Sequence, residues 1–102
     1  MRVIDVCVSG AAGRMGRAVV GAVDAAPDMR VTASVDPLLA DAPGGYGDLG
    51  AALAAARPQV MVDFTVPDTV FANARQALSA GVHVVVGTTG LTDDQVGELR
   101  EL

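Results

Sequence analysis

The sequence predicts an α/β fold, an open parallel sheet with helices on both faces, built as one domain of 102 residues. Apolar runs rich in β-branched residues alternate with patterns of helical period along the whole chain. Glycines, hydroxyls and carboxylates recur just after each apolar run, where parallel sheets gather their ligands. With 51% hydrophobic residues but only two Phe, one Tyr and no Trp, the core must be made of Val, Leu, Ala and Met. That suits helices packed closely on a parallel sheet.

The elements follow in order. Val3 to Ser9 reads as the first strand and Arg14 to Ala26 as the first helix, with Met15, Val19, Val23 and Ala26 at core spacing and Pro27 closing it. Arg30 to Asp36 is the second strand. Pro37 to Gly47, rich in Pro and Gly, reads as a loop. Asp48 caps a helix to Ala56 that turns Leu49, Leu53 and Ala56 inward. Val60 to Thr65 is the third strand, and Pro67 opens a helix to Ala80 with Gly81 as its stop. Its buried stripe is Val70, Ala74 and Leu78. Val82 to Val86 is the fourth strand, and Thr92 with Gln95 forms a capping box for a last helix. Four strands joined by helical crossovers make a parallel sheet with right-handed connections. The last apolar pattern (Val96, Leu99, Leu102) is still running at the end of the sequence, which leads us to expect a fragment.

Composition excludes several classes. A net charge of −5 argues against nucleic acid and anionic membranes as partners. No apolar stretch is of membrane-spanning length, and no signal-peptide pattern opens the chain. A single cysteine rules out an internal disulfide and fits a cytoplasmic setting; Cys7 reads as a small buried hydrophobe. No Cys/His/Asp spacing resembles a metal site, so no metal is expected. No Gly-Lys-Ser/Thr follows the glycines, so a triphosphate loop is unsupported. His83 begins the fourth strand, away from the expected site, and no catalytic role is assigned to it.

Gly10 to Gly16 (GAAGRMG) is the most informative segment. A glycine turn between strand and helix lets the backbone approach a ligand and aims the free N–H groups of the first helical turn at a diphosphate. Its spacing is G-x-x-G-x-x-G, and its context strengthens it: Asp36 ends the next strand, where an acid can take the ribose hydroxyls of a dinucleotide. Arg14 in the first turn opposes the helix dipole at a cost of about 0.3–1 kcal/mol, a penalty that a bound phosphate reverses. Arg17 follows one turn later with a weaker claim to the same role. The other strand ends carry Asp63 to Thr65 and Gly87 to Gly90 (GTTG). Asp63 has two readings, ligand contact or acceptor for nearby backbone N–H groups. Phe64 reads as packing rather than recognition.

Three segments together resemble one family. VSGAAGRMGR (Val8 to Arg17), VDFTVPD (Val62 to Asp68) and VVVGTTGL (Val85 to Leu91) are similar, in order and spacing, to 4-hydroxy-tetrahydrodipicolinate reductase, formerly dihydrodipicolinate reductase, of the diaminopimelate route to lysine. The resemblance implies a Rossmann domain binding NADH or NADPH. It also implies a second domain, absent from this chain, that closes on the substrate, forms a homotetramer and carries the catalytic residues. By the same resemblance Gly10, Ala11, Ala12, Gly13, Arg14 and Met15 hold the pyrophosphate and Asp36 the adenosine ribose. Phe64 and Thr65 border the cofactor. Gly87, Thr88 and Thr89 lie against the nicotinamide, and Thr89 reaches a substrate carboxylate. Members that accept NADPH well often carry a basic residue after the acid; Pro37 stands there, so NADH is expected to be preferred and NADPH possible. The Asn-Phe-Ser segment and paired-histidine motif with its lysine, which follow in the family, are not in the sequence, so no catalytic residue is assigned. Two alternatives stay open: a non-catalytic NAD(H)-binding module, and the cofactor domain of another dehydrogenase such as aspartate or homoserine dehydrogenase.

Overall fold

A computed structural model describes residues 3–87 and 91–102. In chain order it contains β1 (Ile4–Ser9), α1 (Arg14–Ala25), β2 (Met29–Val35), a 3-10 turn (Pro37–Leu39), β3 (Gly45–Tyr46), α2 (Leu49–Ala56), β4 (Val60–Asp63), α3 (Pro67–Ser79), β5 (His83–Val86) and α4 (Asp93–Arg100). The strands form one sheet in the order β3-β2-β1-β4-β5, and every neighbouring pair is parallel. The order reverses beside β1, whose partners are β2 on one side and β4 on the other, so a crevice opens above Ser9.

Alternation along β1 divides the core between the faces. Val6 and Val8 point to one side, where Val23 is buried with them and Val19 and Val20 pack at their edge. Cys7 points to the other, among Leu49, Ala52, Leu53, Met61, Ala77 and Val82. Thus α1 covers one face and α2 with α3 the other, as the sequence predicts. β1 and β2 slip by one residue: Val6 pairs with Val31 but Cys7 with Ala33, which leaves Thr32 as a bulge. The Thr32 hydroxyl is sealed from solvent without a hydrogen-bond partner among the described residues.

Three expectations are corrected. The sheet has five strands, because the segment read as a loop contributes a 3-10 turn and β3, whose two residues pair with Ser34 and Val35. A two-residue strand of Gly and Tyr has no periodicity to detect. On α3 the buried stripe is Val70, Ala74 and Ala77, while Leu78 is only half-buried. The small Ala77 brings the helix close to the sheet, and the bulkier neighbour sits off the contact line. On α1, Met15 is 57% exposed, and the inner face is centred instead on Gly16, Val19, Val20 and Val23. No helix among the described residues is long and apolar enough to cross a membrane.

Candidate functional site

β1 ends in a turn tied to its neighbour. Gly10, at φ 79°, and Ala11 both donate their N–H groups to the Val35 carbonyl, at 2.8 and 3.2 Å. Only glycine takes that φ without strain. Gly16 serves a different need: a Cβ there would lie 2.1 Å from the Gly10 carbonyl oxygen, so α1 can pack against the turn only if residue 16 has no side chain. The close approach fixes the start of α1 over the end of β1.

That helix start is chemically unlike two others. At α2 the Asp48 carboxylate accepts from the Ala51 N–H at 2.9 Å, and at α4 Thr92 and Gln95 close a capping box beside Asp93 and Asp94. The N-cap of α1, Gly13, supplies no side-chain bond, its first turn has no acid, and among the described residues no acceptor meets the amides of Arg14, Met15 and Gly16. Arg14 and Arg17 are exposed; the single ion pair among the described residues joins Arg30 to Asp5 elsewhere. The start of α1 therefore presents free N–H groups and the positive end of its dipole above β1, with the exposed Arg14 in its first turn.

Asp36, just past β2, faces the same crevice half-buried. One carboxylate oxygen accepts from the Leu38 N–H at 3.0 Å and the other from the Ala12 N–H at 3.3 Å. The contacts hold the carboxylate against the glycine turn, and each oxygen can still accept a further donor.

Asp63, at the end of β4, is fully buried. One of its oxygens accepts from the N–H of Thr65 at 2.8 Å and from its hydroxyl at 2.5 Å; the other accepts from Asn73 Nδ2 at 2.8 Å. The same Nδ2 donates to Ser9 Oγ at 3.2 Å. Of the two readings the sequence offered for Asp63, the geometry matches the acceptor of local donors. It ties the 64–66 turn to α3 and to β1, and backbone bonds add to the tie: Phe64 N–H to the Ser9 carbonyl, and Gly87 N–H to the Asp63 carbonyl. Beneath it, burial and the Asp63 charge push the Cys7 thiol up to about 12, so Cys7 is an inert core residue. Phe64 packs against the next strand end, where a Cβ on Gly87 would fall 2.0 Å from its ring.

A cleft of about 250 Å³ opens between α2, α3 and the ends of β1 and β2. Gly10, Asp36, Thr65, Asp48, Asn73 and Gln76 are among the residues that line it. The α3 residues were not singled out from the sequence. A signal was there: Thr69, Asn73 and Gln76 repeat at the spacing of the core stripe, one residue before Val70, Ala74 and Ala77. They form a polar stripe along the edge of the buried one. Gly10 to Met15, Asp36 and Thr65 thus share one end of the sheet, with Phe64 and Gly87 beside them. Thr88 and Thr89 lie outside the described residues. His83 is exposed at the opposite end, with its backbone N–H on the Gln59 carbonyl. No cluster of metal-binding side chains occurs among the described residues.

A parallel sheet with a glycine turn at its reversal point, an open helix start above it and a carboxylate after the next strand defines a Rossmann-type nucleotide-binding fold. Within that class the chain belongs to the dihydrodipicolinate reductase N-terminal family, whose model matches residues 4–102. It is 43% identical over 116 residues to a 4-hydroxy-tetrahydrodipicolinate reductase of Picosynechococcus sp., covering 96% of this chain and 42% of that protein. A reductase of the same name from Beutenbergia cavernae is 46% identical over 98 residues, covering 96% and 36%. The chain thus spans well under half the length of these relatives. Among solved structures, the dipicolinate-bound dihydrodipicolinate reductase of Paenisporosarcina sp. TG-14 superposes with a TM-score of 0.83 at 29% identity, over 95% of this chain and 42% of that one. The D-galactose-1-dehydrogenase of Rhizobium etli shares the fold alone, at TM-score 0.86 and 21% identity over 99% and 34% of the two chains.

Proposed function

We propose that this chain is the NAD(P)H-binding domain of a reductase acting on 4-hydroxy-tetrahydrodipicolinate to give tetrahydrodipicolinate, in the cytoplasm. The single observation that carries the reading is the open start of α1 set directly above Gly10 and facing Asp36. Free amides and Arg14 suit a pyrophosphate, and a carboxylate one strand away suits a ribose diol. Gly10, Ala11, Ala12, Gly13, Arg14 and Met15 cradle the pyrophosphate, and Asp36 accepts from the ribose. Thr65 and Phe64 border the cofactor, and Gly87, Thr88 and Thr89 meet the nicotinamide, Thr89 reaching the substrate. When bound, the nicotinamide supplies the hydride.

The reduction of a C=N unit also needs a proton donor and cationic anchors for the substrate carboxylates. The described strand ends offer carboxylates and hydroxyls, Arg14 is given to the cofactor, and the sequence has no lysine. Those groups come from a second, tetramer-forming domain in the whole enzyme, and this chain alone does not turn over substrate.

NADH is preferred over NADPH, because a 2′-phosphate would bring like charge to Asp36 and Pro37 offers no compensating cation. Fluorescence titration of the purified chain with both cofactors tests the reading. Tighter binding of NADH, with a gap that narrows in Asp36→Ala, is expected; binding of neither cofactor overturns the proposal, and strong NADPH selectivity overturns the role of Asp36.

A further inference from the structure

Asn73, in the cleft behind Asp36, has its orientation imposed from below. Asn73 Nδ2 lies 2.8 Å from the buried Asp63 carboxylate and 3.2 Å from Ser9 Oγ. An amide and its flipped form differ only in which end donates, and a carboxylate can only accept, so the NH₂ end must face Asp63. The carbonyl end is thereby turned away from the core. Among the described residues Asn73 Oδ1 makes no hydrogen bond and is not sealed from solvent, and Asn73 lines the cleft. Two of its neighbours there are less constrained: Gln76 is exposed with no fixed partner among the described residues, and Asp48 uses one oxygen to cap α2.

We infer that Asn73 is a specificity-determining residue that reads the 6-amino edge of adenine. The inference rests on the dinucleotide proposal above and deepens it. With the pyrophosphate over α1 and the ribose diol on Asp36, the base is the part of the adenosine half that enters the cleft. Its one strong donor is the exocyclic 6-amino group, and a fixed acceptor complements that group alone. Hypoxanthine carries a carbonyl oxygen at the same position and would set acceptor against acceptor. A site built around a hydrogen bond discriminates strongly against an analogue that cannot make it.

Calorimetric titration of the purified chain with NADH and with its hypoxanthine counterpart, which carries a carbonyl oxygen in place of the 6-amino group and a proton on N1, tests the inference. The unmutated chain should bind NADH about tenfold more tightly. Asn73→Ala should bring the two affinities within about twofold of each other. Asn73→Leu, similar in volume and without an acceptor, gives the same test if the alanine variant does not fold. Equal affinity for the two cofactors in the unmutated chain, or a tenfold gap that persists in the variants, overturns the role of Asn73 and leaves the dinucleotide proposal standing. Binding of neither cofactor overturns both.

Discussion

The two ends of the sheet solve opposite problems. At the amino ends polar groups satisfy each other: Arg30 Nε donates to Asp5 at 2.6 Å, and Asp5 and Gln59 bond twice, from the Asp5 N–H to the Gln59 side chain and from the Gln59 N–H to the Asp5 carbonyl. At the carboxyl ends the donors of α1 and the Arg14 guanidinium have no partner among the described residues, while Asp63 is fully engaged one layer below. A self-satisfied end closes the domain. An end with positive charge held open by a buried brace is prepared for an anion, since the brace fixes the backbone without consuming the surface groups.

Substituting Gly16 should break the upper end most severely. A Cβ 2.1 Å from the Gly10 oxygen forces α1 off the turn, so Gly16→Ala should lose roughly 3 kcal/mol of stability in urea denaturation, with loss of NADH binding. Gly13→Ala, whose Cβ would come no closer than 3.4 Å to its neighbours, should fold nearly as well. Equal stability of the two variants would contradict the packing argument.

Cys7 reports how strongly the brace is felt in the core. Its thiol is raised from 9.0 to about 12 by burial and by Asp63, so the folded state disfavours the thiolate that the unfolded chain forms above pH 9. Stability from this group is complete below pH 9 and falls by about 1.4 kcal/mol per unit as pH rises toward 12. Denaturation midpoints from pH 8 to 11 should show that slope, and Cys7→Ala should flatten it.

Arg14 sharpens the comparison through binding. Arg14→Ala removes a cation from the wrong end of a helix dipole, so stability should hold or rise by about 0.5 kcal/mol. NADH affinity should fall roughly fivefold, with a weaker dependence on salt. At the lower end, Arg30 is 65% exposed and its pair with Asp5 is screened by solvent. Arg30→Ala should change stability by less than about 1 kcal/mol and leave NADH affinity untouched. A loss of binding in that variant would erase the distinction between the two ends.

The sequence by itself determined the alternation of strands and helices, the partition of helices to both faces, the glycine turn at Gly10 to Gly16 and the carboxylate after β2. These are local: β-branched runs, capping residues and glycines act within a few positions of themselves. Tertiary structure decided the rest. β3 exists because Ser34 and Val35 offer an edge to pair with, not because Gly45 and Tyr46 prefer a strand. Met15 is outside because Gly16 takes the contact with the turn. The direction of the Asn73 carbonyl depends on Asp63, ten positions away, and on Ser9, sixty-four away. No local pattern encodes such an orientation, because it arises only when three elements converge and a buried carboxylate allows one end of an amide to face it.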